Sequence, residues 1–297
     1  MRVTAVYTYP VKGCFRTEHR EAQVEPWGLR GDRCFMIVDG SDAMLTQREE
    51  PRLVRVKPEL DGDRLVLRSA GMADLTVAVR AGEPLDVKVF SDPVRASRVD
   101  PTADEWLGTV LGRPVRLLWL VDPTRRPVNP SYSRPTDRVS LADAVPLLLA
   151  NARSLDVLND WLLEADSPEW PLPMSRFRPN IVVDGAPAWS EDAWTGRRMR
   201  IGDVWFRTPR QAPRCVVTTT DQDTGERGHE PLRILGRYRN IDQSLLFGLG
   251  LIPDRHNGDG ADKVVADGAD KVVGDSADNV VGDSFGRVAV GDGVFVE

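Results

Sequence analysis

Short β-branched runs, each stopped by a tight-turn pair, constrain the N-terminal third of this chain more than any other feature. RVTAVYTYPV, CFMIVDGSDAMLTQ, RLVRVKPELDGDRLVLRS and LDVKVFSD follow one another with little room for a long helix between them. Asp39-Gly40 and Asp61-Gly62 sit between runs rich in Val, Leu and Ile, where glycine supplies the left-handed backbone that tight hairpin turns demand. The pattern predicts an antiparallel β-barrel or sandwich.

A short helix is expected over Thr102 to Gly112, with a capping threonine, acids in the first turn and glycine after the last. A strand, PVRLLWL, follows. Prolines at 123, 127, 130, 135 and 146 then block both helix and ladder pairing, so residues 123–139 read as a linker between two domains, 1–122 and 140–297. In the second domain, VPLLLA and NIVVDG read as buried strands. Between them an amphipathic helix runs from about Ser154 to Leu163, with Leu155, Leu158 and Leu162 on one face. RRMRIGDVWFRTP and RCVVTTTDQDTG predict strand-and-turn units, EPLRILGRYR a short helix, and GRVAVGDGVFVE a closing pair of strands. The fold class is therefore mostly β with a few short helices. Residues 260–283 repeat a Val-Val pair bounded by Asp and Gly and read as an acidic insertion without a catalytic role.

With 39 basic and 45 acidic residues and a net charge of −6, the chain has no global attraction for nucleic acid or an anionic membrane. Any anionic ligand must be held by a local cluster of basic residues. The start, MRVTAVYTYPVKGC, lacks the apolar core of a secretory signal, and no long apolar run suits a membrane span. Three cysteines are too few for a secreted disulfide framework, which points to a soluble protein of a reducing cytoplasm. The same count excludes a four-cysteine iron–sulfur cluster, and no Cys-x-x-Cys pair offers a zinc site.

Cys215, in QAPRCVVTTTDQDTGERG, follows an arginine that favours the thiolate, the form that attacks or ligates. In a regular strand Arg214 and Cys215 would point to opposite faces, so both serve one site only at a strand end or bulge. Three readings stay open: a core residue, a nucleophile paired with His19, His229 or His256, and a soft metal ligand. Two further stretches gather cations. SRFRPNIVVDG carries Arg176 and Arg178 where a loop enters a buried strand, while Lys12 lies in a Pro-Val-Lys-Gly turn and Arg33 in LRGDR before another. Together these are groups that a phosphate-bearing cofactor needs.

The order YPVKGC, GLRGDRCFMIVD, RFRPNIVVDG, AWSEDAWTGRRMRIGD, RCVVTTTDQDTG and PLRILGRYR resembles the MOSC family, named for the C-terminal domain of molybdenum cofactor sulfurase. The version with an N-terminal β-barrel domain is similar to the mitochondrial amidoxime-reducing component and to bacterial reductases of N-hydroxylated bases. This resemblance implies two β-barrel domains holding a molybdopterin-type molybdenum cofactor, with Cys215 as metal ligand and catalytic residue. It also implies that Lys12, Arg33 and Arg178 hold the phosphate or pterin, that Asn180 and Arg214 line the pocket, and that Asn151 makes a small polar contact. Gly13 stands where the family commonly has serine, leaving Cys14 or a backbone N–H to replace the hydroxyl; otherwise Cys14 and Cys34 read as structural. The expected activity is reduction of N-hydroxylated small molecules with electrons from an external ferredoxin or reductase. A sulfur carrier using a Cys215 persulfide is the alternative, and a β-barrel scaffold with Cys215 in its core is a third reading.

Overall fold

The computed structural model describes residues 1–255 and 284–297. Strands dominate, with three α-helices among the described residues. The first strand, Arg2–Thr8, turns Val3, Val6 and Thr8 inward, and along one edge it pairs antiparallel with the apolar run Ile181–Asp184. Ile181–Asp184 in turn lies parallel to Leu147–Asn151. A parallel pair needs a crossover, and the intervening chain supplies it through the amphipathic helix Ala152–Glu164. Leu158 and Leu162 of that helix are fully buried, and truncating either to alanine would cost roughly 2–5 kcal/mol.

The long strand Ser244–Asp254 organises the rest of this ten-stranded sheet. It pairs with Leu147–Asn151, Val204–Arg207, Gln211–Pro213 and Asn240–Ile241. The expected hairpin over RRMRIGDVWFRTP forms as Arg198–Ile201 against Val204–Arg207. Val3, Val6, Leu149, Ile181, Phe206 and Leu251 fill the core beneath.

The N-terminal half builds its own sheets. Phe35–Asp39, Val115–Trp119, Asp92–Arg98 and Pro84–Val89 make a four-stranded antiparallel sheet, and Lys57–Asp61, Arg64–Arg68 and Leu75–Ala78 a meander. The helix Pro101–Leu111 packs over them. Its cap is Asp100, whose carboxylate accepts the Thr102 N–H at 2.7 Å, so the side chain doing the capping lies two residues before the expected threonine. Gly112 closes it in the left-handed conformation, as expected.

Sequence composition marks a boundary near residues 123–139, where the described chain makes two short 3-10 turns. Strand pairing ignores that boundary. Arg2–Thr8, from the N-terminal side, is an interior strand of the C-terminal half's sheet, and Glu21–Glu25 pairs with Gly286–Ala289 near the C-terminus. The closing strands therefore do not pair with each other: Val294–Val296 joins Arg198–Ile201 instead. Partner choice is non-local, and a turn signal between two strands does not fix it. The repeat at 260–283 lies outside the described residues, as does His256.

Candidate functional site

Where the two halves meet, a cleft of about 430 Å³ opens. Lys12, Arg33, Arg48, Arg178, Arg210 and Arg214 line it, against a single lining carboxylate among the described residues, Asp143. In a chain of net charge −6 this is the local basic cluster that binding an anion requires.

Two of these cations, Arg33 and Arg178, sit over Tyr9 in an arginine–tyrosine–arginine layer. Tyr9 is buried, its hydroxyl donates to the Pro179 carbonyl at 3.0 Å, and the Arg33 and Arg178 guanidiniums lie 4.6 and 4.2 Å from its ring centre. Both arginines have left-handed backbone, φ 48° and 54°, which is uncommon for non-glycine residues and costs roughly 1–2 kcal/mol each. Such strain persists where surrounding contacts over-determine it, and here they do. Arg33 is ion-paired to the buried Asp32 and donates to Asn180 Oδ1 at 3.1 Å. Arg178 donates to the Cys14 carbonyl at 2.9 Å and to Gln222 Oε1 at 2.8 Å. Burial, reinforced by the Arg33 charge, pushes the Arg178 guanidinium down to about 10, so it stays cationic at neutral pH.

Asn180 is a structural stitch as well as a lining residue. Its Oδ1 also accepts from Leu148 N–H at 3.2 Å, and its Nδ2 donates to the Tyr7 carbonyl at 3.1 Å, joining two strands of the sheet to Arg33. Lys12 donates to the Leu141 carbonyl at 2.7 Å and to Asp143. Burial lowers its ammonium. Surrounding protein raises the Asp143 carboxyl, but Lys12, Arg33 and Arg48 outweigh that and hold it at about 2. Its side chain nonetheless keeps 57% of its surface open.

Cys215 stands at the edge of this cleft, and not within a strand. The strand Gln211–Pro213 ends after an irregular register, and Val216–Thr219 coils into a 3-10 helix. Threonine hydroxyls drive the change: Thr218 and Thr219 donate back to the carbonyls of Cys215 and Val216 at 2.9 and 2.8 Å, competing with a ladder. At this strand end Arg214 and Cys215 both line the cleft. Arg214 donates to the Phe177 carbonyl at 2.8 Å, and its buried Nε has no hydrogen-bond partner among the described residues. The Cys215 sulfur accepts from Arg48 Nη2 at 3.4 Å.

The other two cysteines differ. Cys14 is wholly buried, which pushes its thiol up to about 12, and Cys34, also raised by burial, donates to the Gly31 carbonyl at 3.3 Å. Neither lines the cleft. Gly13 has φ +82°, and a Cβ there would stand 2.9 Å from Leu53 Cδ1, so this turn does not accept serine without strain. Among the described residues no histidine lines the cleft. His19 bonds Thr8 Oγ1 at 2.7 Å beside a different hollow, and His229 is exposed, with its N–H held by Glu169.

Asn151 is elsewhere. Its Oδ1 caps the helix Ala152–Glu164 by accepting Arg153 N–H at 3.1 Å, and its Nδ2 donates to Pro187 and Glu191. That side chain is fully buried, does not line the cleft and serves as a helix cap. Arg176 also points away from the cleft: it donates to the Thr219 carbonyl at 2.7 Å and fixes the turn that carries Cys215.

Residues not signalled by sequence complete the site. Thr46, Gln47 and Arg48 line it, and Gln47 exchanges amide hydrogen bonds with Gln222 at 2.9 and 3.0 Å, tying the two halves together. Among the described residues, no group of three His, Cys, Asp or Glu side chains could cage a metal. A metal at Cys215 would thus need ligands from outside the protein, and the basic lining with the Arg214 Nε left unpartnered among the described residues fits an anionic organic group.

Comparison with known proteins places both halves of the chain in known domains. Residues 1–114 match the MOSC N-terminal beta barrel domain and residues 136–294 match the MOSC domain. Human mitochondrial amidoxime-reducing component 1 is 32% identical over 255 residues, covering 82% of this chain and 73% of that protein. Mitochondrial amidoxime reducing component 2 of Rattus norvegicus is 32% identical over 257 residues, with 82% and 74% covered. The molybdenum cofactor sulfurase of Anopheles gambiae is 33% identical over 282 residues, spanning 88% of this chain but 35% of that protein. On these matches, which take in both halves of the cleft and the Arg-Cys turn at its edge, the chain belongs to the MOSC family.

Proposed function

We propose that this protein is a molybdenum-cofactor-dependent oxidoreductase that reduces N-hydroxylated small molecules. The carrying observation is the Cys215 sulfur at the edge of a cation-lined cleft, held by the Arg48 N–H at 3.4 Å. The family's association with molybdenum cofactor proteins and the names of the amidoxime-reducing relatives support the same reading.

In this account Lys12, Arg33, Arg178 and Arg214 hold the anionic part of the cofactor by charge-assisted hydrogen bonds, and Cys215 supplies the protein ligand to the metal. When bound, the group supplies the two-electron chemistry that removes oxygen from an N–O bond. Each turnover breaks one N–O bond, consumes two electrons and two protons, and releases one water. Arg48 donates to the ligand sulfur and so moderates its charge. Asn180 keeps Arg33 aimed, and the Gln47–Gln222 pair holds the Arg48 segment against the Cys215 turn. Electrons come from a separate ferredoxin or reductase. Three unpaired cysteines suit a reducing compartment such as the cytoplasm.

The test is turnover of an amidoxime with a chemical reductant as electron donor, on protein made in a host that synthesises molybdenum cofactor. Amidine should form with wild type and not with Cys215→Ser. The sulfurase relative favours a second reading, a carrier of sulfur on Cys215. Bound molybdenum without turnover, together with persulfide on Cys215, would select that reading over the first.

A further inference from the structure

The hairpin tip beside the cleft carries an aromatic ring where a tight turn ordinarily places a small or polar residue. Val89 pairs with Asp92, leaving Phe90 and Ser91 as the whole turn. Phe90 adopts φ 57°, in the left-handed region that bulky side chains rarely enter. Phe90 is 47% exposed, whereas Phe177, also lining the cleft, is buried. Strain and exposure of one large apolar side chain are both unfavourable for folding, and they coincide at this cleft.

The ring is also tied to the chemistry. The Arg48 guanidinium lies 5.2 Å from its centre, and Arg48 donates to the Cys215 sulfur at 3.4 Å. Lys12 Nζ lies 5.5 Å from the same centre. Phe90 therefore forms an apolar surface in the same cleft as Cys215, with one cation, Arg48, touching both, so a small molecule bound at the Cys215 end can lay an apolar substituent against the ring.

Resting on the function proposed above, we infer that Phe90 is a specificity-determining residue that selects N-hydroxylated substrates with an aromatic or bulky apolar substituent over small aliphatic ones. Burying the substituent against the ring adds affinity that a methyl group cannot gain.

The experiment compares molybdenum-loaded wild type with Phe90→Asn, since asparagine tolerates the left-handed turn. Equilibrium binding of benzamidine and acetamidine, which stand for the aromatic and aliphatic amidine products, is measured alongside kcat and KM for the two amidoximes. Benzamidine should bind wild type more tightly, and Phe90→Asn should weaken it by about tenfold while acetamidine changes by less than about twofold. KM for the aryl amidoxime should rise with kcat little changed. Equal affinity of the two amidines for wild type, or equal effects of the variant on both, would overturn the inference. Molybdenum lost from Phe90→Asn would overturn it too, by making Phe90 a cofactor contact. Absence of turnover in loaded wild type would instead remove the proposed function, while the ratio of amidine affinities would still decide the role of Phe90.

Discussion

Arg48 and Cys215 meet across the cleft, the Nη2 of one donating to the sulfur of the other at 3.4 Å although 167 positions separate them. Removing that donor leaves the Cys215 sulfur without its Arg48 hydrogen bond while the partly exposed Arg48 position keeps its fold. Arg48→Ala is expected to retain molybdenum and lose turnover by about ten- to a hundredfold, the usual effect of deleting a group that supports a metal ligand. Unchanged kcat at equal metal loading would show that the contact does not matter to the reaction.

Arg178 should behave differently. It is a buried cation beside a second cation, Arg33, around one tyrosine ring, an arrangement that an incoming anion relieves. Arg178→Ala is expected to lower cofactor occupancy, and cofactor loading should raise the melting temperature of wild type more than that of the variant. Full occupancy in Arg178→Ala would remove it from the anion site.

The Lys12–Asp143 contact predicts an acid-side dependence. Asp143 is held at about 2, below its ordinary value of 3.8, so the folded state prefers the ionised carboxylate. Its stabilisation is present above the unfolded value and is lost as pH falls through the folded one. Urea midpoints of wild type and Asp143→Asn should therefore differ above pH ~4 and converge towards pH ~2. Curves separated by a constant amount throughout would contradict the assignment.

Thiol reactivity separates the three cysteines. Burial raises the Cys14 thiol to about 12 and Cys34 is raised as well, whereas the Cys215 sulfur lies in an open cleft beside Arg48. Iodoacetamide on cofactor-free native protein should label Cys215 first, with Cys14 reacting only on unfolding. Mass mapping that found Cys14 alkylated at the same rate would refute this ordering.

Asn151 provides a contrast within the same family pattern. Its side chain caps a helix and donates to Glu191, a carboxyl raised by burial and otherwise held by Ser154 at 2.6 Å. Asn151→Ala should lose about 1–3 kcal/mol of stability without changing molybdenum content. Loss of metal at unchanged stability would return Asn151 to the cofactor site.

Much of this architecture is legible in the sequence because it is local. The helices Pro101–Leu111 and Ala152–Glu164 follow from apolar spacing and end signals, and the Asp61-Gly62 hairpin from its turn pair. Lys12, Arg33, Arg178, Asn180, Arg214 and Cys215 do line one cleft, although the residues themselves suggested no more than local cation clusters and the family resemblance joined them. What was not legible depends on distant pairing. Thr46-Gln47-Arg48 lies in an aperiodic polar segment, and nothing local reveals that its partners are Gln222 and Cys215. Nor does β-propensity reveal that VVTTT coils, since the deciding contacts are threonine hydroxyls bonding back to carbonyls. The strand Asp92–Arg98 is not legible either, because Pro93 and its charges obscure the alternation. With it went the turn that exposes Phe90.

The central claim is that Cys215 provides the protein's ligand to molybdenum, and metal analysis by mass spectrometry tests it most directly. Wild type and Cys215→Ser would be purified from a host that makes the cofactor, and molybdenum per chain measured in each before and after gel filtration. The account predicts near-stoichiometric molybdenum in wild type and its loss, or its release on gel filtration, in the variant. Equal and stable molybdenum in both proteins, or none in wild type from a cofactor-competent host, would contradict it.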